Sequence, residues 1–338
     1  LVGNSILEIK GLTMQYFVVL FSTACFANIL GLNISASMNS VVTIYITIPF
    51  ILVPQLLLSG VIVKFDKLHH SIASYQYVSV AGDLMTSRWA YEALAVNQFK
   101  NNEYQKHFYD IERDMSDAAF KKNFLIPELV TTLDYCKNNR QIDSLNDKKD
   151  AKFSILRNEI GILEQEYDFG YDKLDSLQRK TFTAGLYKYT KNYLFKIKEH
   201  FDDQYNDLYH KKDHQFKDLI DKMGNDAVVK LKENYHNEAL ADLVLNNNEL
   251  NKIVEKGDRL VQYMEPIYRK PEHMMGRAHF YASKKYFLGY EFDTVWFNVS
   301  VIWITTLVLY VMLLTNAFKK SVDRIGNFRI TKFFIKNK

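Results

Sequence analysis

His210 and His214 stand four apart in the run HKKDH. That spacing sets two imidazoles on one face of a helix, where zinc can be held. Lys211 and Lys212 between them raise the local positive charge, and no HExxH run or nearby cysteine completes a ligand set. We read the pair as part of a solvated helix face, and His69–His70 in the same way. Glu164, Glu166 and Asp168 form an acidic run on a charged helix, with nothing to pair two carboxylates for acid–base work. No GxxxxGK[ST] loop occurs in the 338 residues, so the chain has no P-loop cradle for ATP phosphates. Hydrolysis, redox and metal chemistry find no support. The chain by itself reads as no enzyme, with no cofactor or metal of its own.

The polar residues that stand out lie instead within apolar runs. Gln15 and Asn28, with Ser22 and Thr23, sit among the small residues Ala24, Cys25 and Ala27. Polar groups in hydrocarbon are costly and face a protein interior or a water-filled cavity. They are either the contacts that hold helices together or the lining of a pathway. Pro49 and Pro54 interrupt a second run. Each removes a backbone donor, which predicts a kinked helix.

These residues need elements to carry them. The apolar runs 12–32, 41–63 and 295–315 contain no charged residue. About twenty residues at 1.5 Å rise cross about 30 Å of hydrocarbon, so three transmembrane helices are expected. The composition, 48% hydrophobic and 24% charged, hides this because the apolar residues concentrate at the two ends. Only 5 prolines favour long helices, and a net charge of +4 gives no reason to invoke nucleic acid. Cys25 lies in an apolar run and Cys136 in the polar middle, which argues against a disulfide between them. No signal peptide is evident.

Lys319, Lys320, Arg324, Arg329, Lys332, Lys336 and Lys338 follow the last run against one acid, Asp323. The positive-inside rule places that tail in the cytoplasm. Counting back, residues 65–293 lie outside the cell membrane, the uncharged turn 33–40 inside, and Leu1 outside. That start is natural if earlier spans have been cut away, making the chain a fragment. The sequons Asn33-Ile34-Ser35 and Asn298-Val299-Ser300 then fall in the cytoplasm and the membrane.

Residues 65–100 are too apolar for a hydrated loop and too interrupted to span, and read as re-entrant or interfacial helices. Residues 101–293 form an extracytoplasmic helical insert. Phe153, Leu156, Ile160, Leu163 and Tyr167 follow the spacing of a helix–helix seam. A second run holds Tyr193, Leu194, Ile197, Phe201, Tyr205 and Leu208. A third, read as helical, holds Leu240, Leu243, Leu250, Ile253, Val254, Leu260 and Val261. The expectation is an all-α integral membrane protein: spans in 1–64, the segment 65–100, a bundle or coiled-coil-like insert, and a last span with basic tail in 294–338.

The polar first span, the short uncharged turn, the second span ending LSGVIV and the stretch SRWAYEALAVNQF together resemble one family: the C-terminal half of the permease domain of G-subfamily ABC exporters, the White, pigment-precursor and multidrug type. In that family the fifth span ends in a Phe/Leu-Ser-Gly segment, matched by Leu58, Ser59 and Gly60. A motif like Arg-Tyr-x-x-x-Ala-Leu-x-x-Asn-Glu-Phe follows. Arg88, Ala93, Leu94, Asn97 and Phe99 match it, with Trp89 for the usual Tyr and Gln98 for the usual acid. The resemblance covers roughly residues 8–104, and 287–318 by topology only; the insert lies outside it. The segment RAHFYASKKYFLGYEFDTVWFN is similar to long bacterial ATP-binding/permease fusions with an enlarged outer loop.

The resemblance implies a permease portion of an ATP-driven exporter in the inner membrane, working as a homodimer among membrane lipids. ATP and Mg would belong to a nucleotide-binding domain, either preceding Leu1 or on a separate chain. The family's apolar gate falls at Ile46 and Thr47, where Thr47 is polar. Export by alternating access is driven by nucleotide binding unequally to two states. The insert would serve as a cap or as a platform for an extracytoplasmic partner. The rival reading is a membrane-anchored scaffold or signal relay that moves nothing; a tether needs neither the Pro49/Pro54 break nor Gln15 and Asn28. Cargo is not legible.

Overall fold

The computed structural model describes residues 9–38, 40–69, 76–271 and 275–321. His70 and the tail from Asp323 through Lys338, with Arg324, Arg329, Lys332 and Lys336, lie outside the described residues. The chain falls into two compact units: residues through Asn102 with those from Lys270 onward, and Glu103–Arg269.

The first unit holds the apolar helices. α1 spans Thr13–Ser37 and α2 spans Val41–Leu57. A short α3, Val80–Asp83, leads into α4, Thr86–Lys100. The last long helix among the described residues, α11, spans Thr294–Leu314. At 1.5 Å per residue α1 is about 37 Å long and α11 about 31 Å, enough for the hydrocarbon layer. α1 outruns its expected end by five residues, where polar side chains bond back to carbonyls of the helix and Asn33 also reaches Leu309 O of α11. Asn33 Nδ2 donates to Ile29 O at 2.9 Å, and Ser37 Oγ to Asn33 O at 2.7 Å. The expected turn 33–40 therefore shrinks to the few residues after Ser37, and Asn33 of the sequon is helical and buried.

α2 is the reverse case. The run was expected to stay helical through residue 63, yet the helix ends at Leu57, at 17 residues. Ser59 Oγ bonds Leu56 O at 2.7 Å and accepts Val61 N, turning the chain. Gly60 then takes φ +83 beneath the rings of Phe280 and Phe65. Pro49 and Pro54 both lie inside α2, and the helix runs on through them.

The second unit is a helical bundle. α5, Tyr109–Phe120, passes through a π turn, Lys121–Leu125, into α6, Ile126–Asn138. α7 is Asn146–Tyr167 and α8 the 40-residue helix Ala184–Met223. α9, Asn225–Tyr235, and α10, Glu238–Leu245, follow. Leu156 and Ile160 of α7 join Leu133 of α6 and Leu194 and Phe201 of α8 in one core, as the 3-4 spacing requires. The loop after α6 is closed by a buried ammonium: Lys149 Nζ donates to the carbonyls of Asn139, Arg140 and Ile142 at 3.0–3.3 Å.

The all-α expectation fails at two β-hairpins. In the second unit β1, Ile253–Lys256, pairs antiparallel with β2, Arg259–Gln262. In the first, β3, Lys284–Phe287, pairs with β4, Tyr290–Asp293. The run read as a third amphipathic helix stops at Leu245, where Asn246 adopts a left-handed φ of 53. Beyond it the β-branched Ile253, Val254 and Val261 favour strand, and Gly257, φ 62, makes the turn. Glu159 of α7 fixes the hairpin, its Oε1 accepting from Leu260 N and Arg259 Nε at 2.8 Å each.

Candidate functional site

The charged side chains of the SRWAYEALAVNQF stretch belong to a buried knot in the first unit. Arg88 and Glu92 are four apart on α4, so both project from one helix face. Asp83 ends α3 just before that helix, which places its carboxylate beside Arg88. The knot closes with residues distant in sequence: Lys285 on β3, Arg277 in the segment before β3, and Asn298 in the second turn of α11.

The geometry is that of a shared carboxylate. Lys285 Nζ lies 2.9 and 3.0 Å from the two oxygens of Glu92. Asn298 Nδ2 donates to Glu92 Oε2 at 2.9 Å and to Trp89 O at 3.0 Å. Arg88 stands 3.5 Å from both Glu92 and Asp83, and Arg277 is 3.3 Å from Asp83. The Arg88 guanidinium also lies 3.8 Å over the Trp89 ring, a favourable cation–π placement. Trp89 Nε1 donates to Asp83 O at 2.7 Å. Three cations thus face two carboxylates, and Lys285 and Glu92 have 0% side-chain exposure.

Electrostatics follow from that enclosure. Burial would raise the Glu92 carboxyl, but Arg88, Lys285 and the hydrogen bonds from Asn298 and Lys285 outweigh it and hold it below its ordinary value. Burial raises Asp83, against the opposing pull of Arg88, Arg277 and Lys285. Burial lowers Lys285 to about 8, with Glu92 countering part of the effect.

The knot fastens α4 to α11. Lys100 Nζ adds a second tie, 2.7 Å from Asp293 at the start of α11. Residue numbers rise along α4 as they fall along α11, so the two are antiparallel. Trp89 packs with Val299 and Ile302, about 12 Å along α11 from its first residue. Tyr16 of α1 donates to Gln98 of α4 at 2.6 Å. α1 and α11 run parallel: Trp303 Nε1 donates to Ser22 Oγ at 2.9 Å, and Asn33 Nδ2 to Leu309 O at 3.0 Å. α2 contributes no buried residue and meets α4 where Ser87 bonds Gln55.

The singled-out residues divide accordingly. Arg88, Trp89, Asn97 and Phe99 are buried around α4, and Ser59 and Gly60 are buried at the turn after α2. Asn97 Oδ1 accepts from Asn101 at 2.8 Å. Gln15 is half-buried and Asn28 exposed on α1. Ile46 and Pro49 are exposed on α2, while Thr47 and Pro54 are half-buried; Thr47 Oγ1 bonds Thr43 O at 2.8 Å. The structure does not bring Gln15, Asn28 and the α2 residues together with the knot. Sequence reasoning missed Glu92, Lys285 and Asn298 as site residues. The i,i+4 pair Arg88–Glu92 on an apolar helix was the available signal. Nothing in the sequence pointed to Lys285.

Among the described residues, no group of three or more His, Cys, Asp or Glu is placed to hold a metal. His210 and His214 are exposed on α8, His214 beside Asp218 at 3.2 Å. Residues 7–99 match the family model described as ABC-2 type transporter. That stretch contains α1, α2 and nearly all of α4, and is well under half of the chain. No curated protein and no solved structure matches the chain. The family match and the two helices of membrane length among the described residues support a membrane protein with a transporter-type membrane region.

Proposed function

We propose that the chain is the permease portion of an ATP-binding-cassette exporter of the G-subfamily kind. It moves its substrate outward by alternating access, driven by ATP hydrolysis in a nucleotide-binding domain that this chain does not contain. The match of residues 7–99 carries the reading. The helix arrangement supports it: α1, α4 and α11 are cross-linked by polar contacts, whereas α2 has no fully buried residue and bonds α4 near its end. A rigid body beside a lightly held apolar helix suits a protein whose halves rock against each other. Two copies pair in the membrane, with Ile46 and Thr47 of α2 on the pathway. α4 is the re-entrant element. The segment Glu103–Arg269 stands outside the cell as a cap or docking platform, and the C-terminal tail is cytoplasmic.

The test is purification of the chain with its nucleotide-binding component, reconstituted in proteoliposomes. Hydrolysis of ATP with a nucleotide-dependent change in the spacing of labels on the two copies of α2 is the expected result. An assembly that neither hydrolyses nucleotide nor responds to it overturns the reading and leaves a membrane-anchored scaffold.

A further inference from the structure

We propose that the β3–β4 hairpin is a lipid-interface anchor, its apolar face and tip lying in the headgroup and upper acyl region of the leaflet that α11 enters. The register gives the hairpin two unlike faces. Lys284, Tyr286, Glu291 and Asp293 share one, where Lys284 and Tyr286 bond Glu291 at 2.6 and 2.7 Å. Lys285, Phe287, Tyr290 and Phe292 share the other. On that face Lys285 is neutralised by Glu92, so what remains outward is aromatic. Tyr290 is 72% exposed.

The tip makes the stronger case. The two-residue turn is Leu288-Gly289, with φ 51 and 85. Such turns favour Asn-Gly, because both positions need a left-handed backbone. A leucine there strains the backbone, and at 67% exposure it recovers little from protein packing. An apolar phase beyond the protein would supply the missing burial.

Continuity identifies that phase as lipid. β4 ends at Asp293, whose side chain caps α11 by accepting from Val295 N at 3.0 Å. The rings of Phe287 and Phe292 lie 6.2 and 6.4 Å from that of Phe297 in the first turns of α11. Phe297, Ile304, Val308 and Val311 recur at i, i+7, i+11 and i+14, one face of a helix, and the last three are exposed. The hairpin's apolar face therefore prolongs the outward apolar flank of α11. Trp296 is 56% exposed in the same turn, the kind of side chain that settles at the headgroup level.

The inference rests on α11 crossing the bilayer, so its test carries a control for that premise. Nitroxide labels are placed singly at Leu288→Cys, Glu291→Cys and Leu307→Cys in the whole protein carrying Cys25→Ser and Cys136→Ala. The protein is reconstituted in phosphatidylcholine–phosphatidylglycerol vesicles, and collision with oxygen is compared with collision with a water-soluble nickel chelate. Labels at Leu288 and Leu307 are expected to favour oxygen several-fold, and the label at Glu291 to favour nickel. A Leu288 label as open to nickel as that at Glu291, with Leu307 still in lipid, overturns the anchor alone. A Leu288 label shielded from both probes means that protein covers the tip, and also overturns it. Nickel access at Leu307 removes the premise and the proposal together.

Discussion

Lys285 and Glu92, 193 positions apart, meet with the ammonium 2.9 Å from one carboxylate oxygen and 3.0 Å from the other, in a place that solvent does not reach. Taking two such charges out of water costs several kcal/mol per ion, recovered only when each has close partners. Here the carboxylate has three: the Arg88 and Lys285 cations and the Asn298 amide donor. The lysine has one acid at contact distance and two arginines in the same knot. The pair is therefore unequal.

That inequality ranks the single substitutions. Glu92→Gln leaves Arg88, Arg277 and Lys285 facing Asp83 alone, and should lower stability by about 3–5 kcal/mol. Lys285→Met leaves two arginines against two carboxylates and should cost less. The double variant Glu92→Leu with Lys285→Met should recover part of the Glu92→Gln loss, since an apolar replacement strands fewer charges. Thermal unfolding in detergent measures all three. A larger loss for Lys285→Met than for Glu92→Gln contradicts the charge count.

The same lysine sets a pH dependence. Its ordinary value is 10.5 and its folded value about 8. Between those limits the unfolded chain binds more protons than the folded one, so this group's contribution to stability rises with pH. Below pH 8 both states are protonated and the burial penalty is at its full size. The wild type should gain on Lys285→Met by up to about 1.4 kcal/mol per pH unit from pH 8 to 10.5. Paired melting curves across that range check it; parallel pH trends for the two proteins contradict the assignment.

What the sequence made legible divides by physical range. α1 and α11 were readable because bilayer length and the absence of charge are local properties, and the seam through Phe153, Leu156 and Ile160 because its period is local. The end of α1 was misplaced because Asn33 finds Leu309 O, 276 positions away. The hairpin at Ile253–Gln262 was read as helix because its apolar spacing suits either element, and the carboxylate that pins it, Glu159, sits on another helix. In the site, the Arg88–Glu92 spacing was visible on α4, but Lys285 and Asn298 join it only through the fold.

Gly60 should tolerate no side chain. Its φ of +83 strains any L residue, and an added Cβ would stand 2.5 Å from Phe280 Cζ and 2.8 Å from Phe65 Cε2. Gly60→Ala should cost about 1–3 kcal/mol and lower the yield of folded protein. Gly170→Ala, where nothing lies within 4 Å of the new methyl, is the matched control. Equal melting temperatures for the two variants would show that the turn after α2 is not closely packed.

Cys136 offers a reporter for the second unit. It is 1% exposed, and burial pushes its thiol up to about 12, against a smaller lowering by Lys152 and Lys149. At pH 8 it should therefore resist alkylation, because the thiolate is the reactive form. In Cys25→Ser protein, iodoacetamide labelling should stay near zero until denaturant unfolds the bundle, then rise with the loss of helix. Rapid labelling of the folded protein contradicts the packing of α6 against α7 and α8.

The parallel run of α1 and α11 can be tested by cross-linking. Trp303 reaches Ser22 and Asn33 reaches Leu309, so residue numbers rise together along the two helices. Were α11 antiparallel to α1, Ser22 would approach Leu309 instead. Cysteine pairs distinguish the two arrangements in native membranes: Ser22→Cys with Trp303→Cys and Asn33→Cys with Leu309→Cys should cross-link through a short bifunctional maleimide. Ser22→Cys with Leu309→Cys should not. The cross-linked Asn33–Leu309 pair replaces a single interhelical hydrogen bond, worth about 1 kcal/mol in a membrane, so the helices should keep their places while it is tested. Cross-linking of the Ser22–Leu309 pair alone would reverse α11, and with it the side of the membrane on which α4 and the β3–β4 hairpin meet α1.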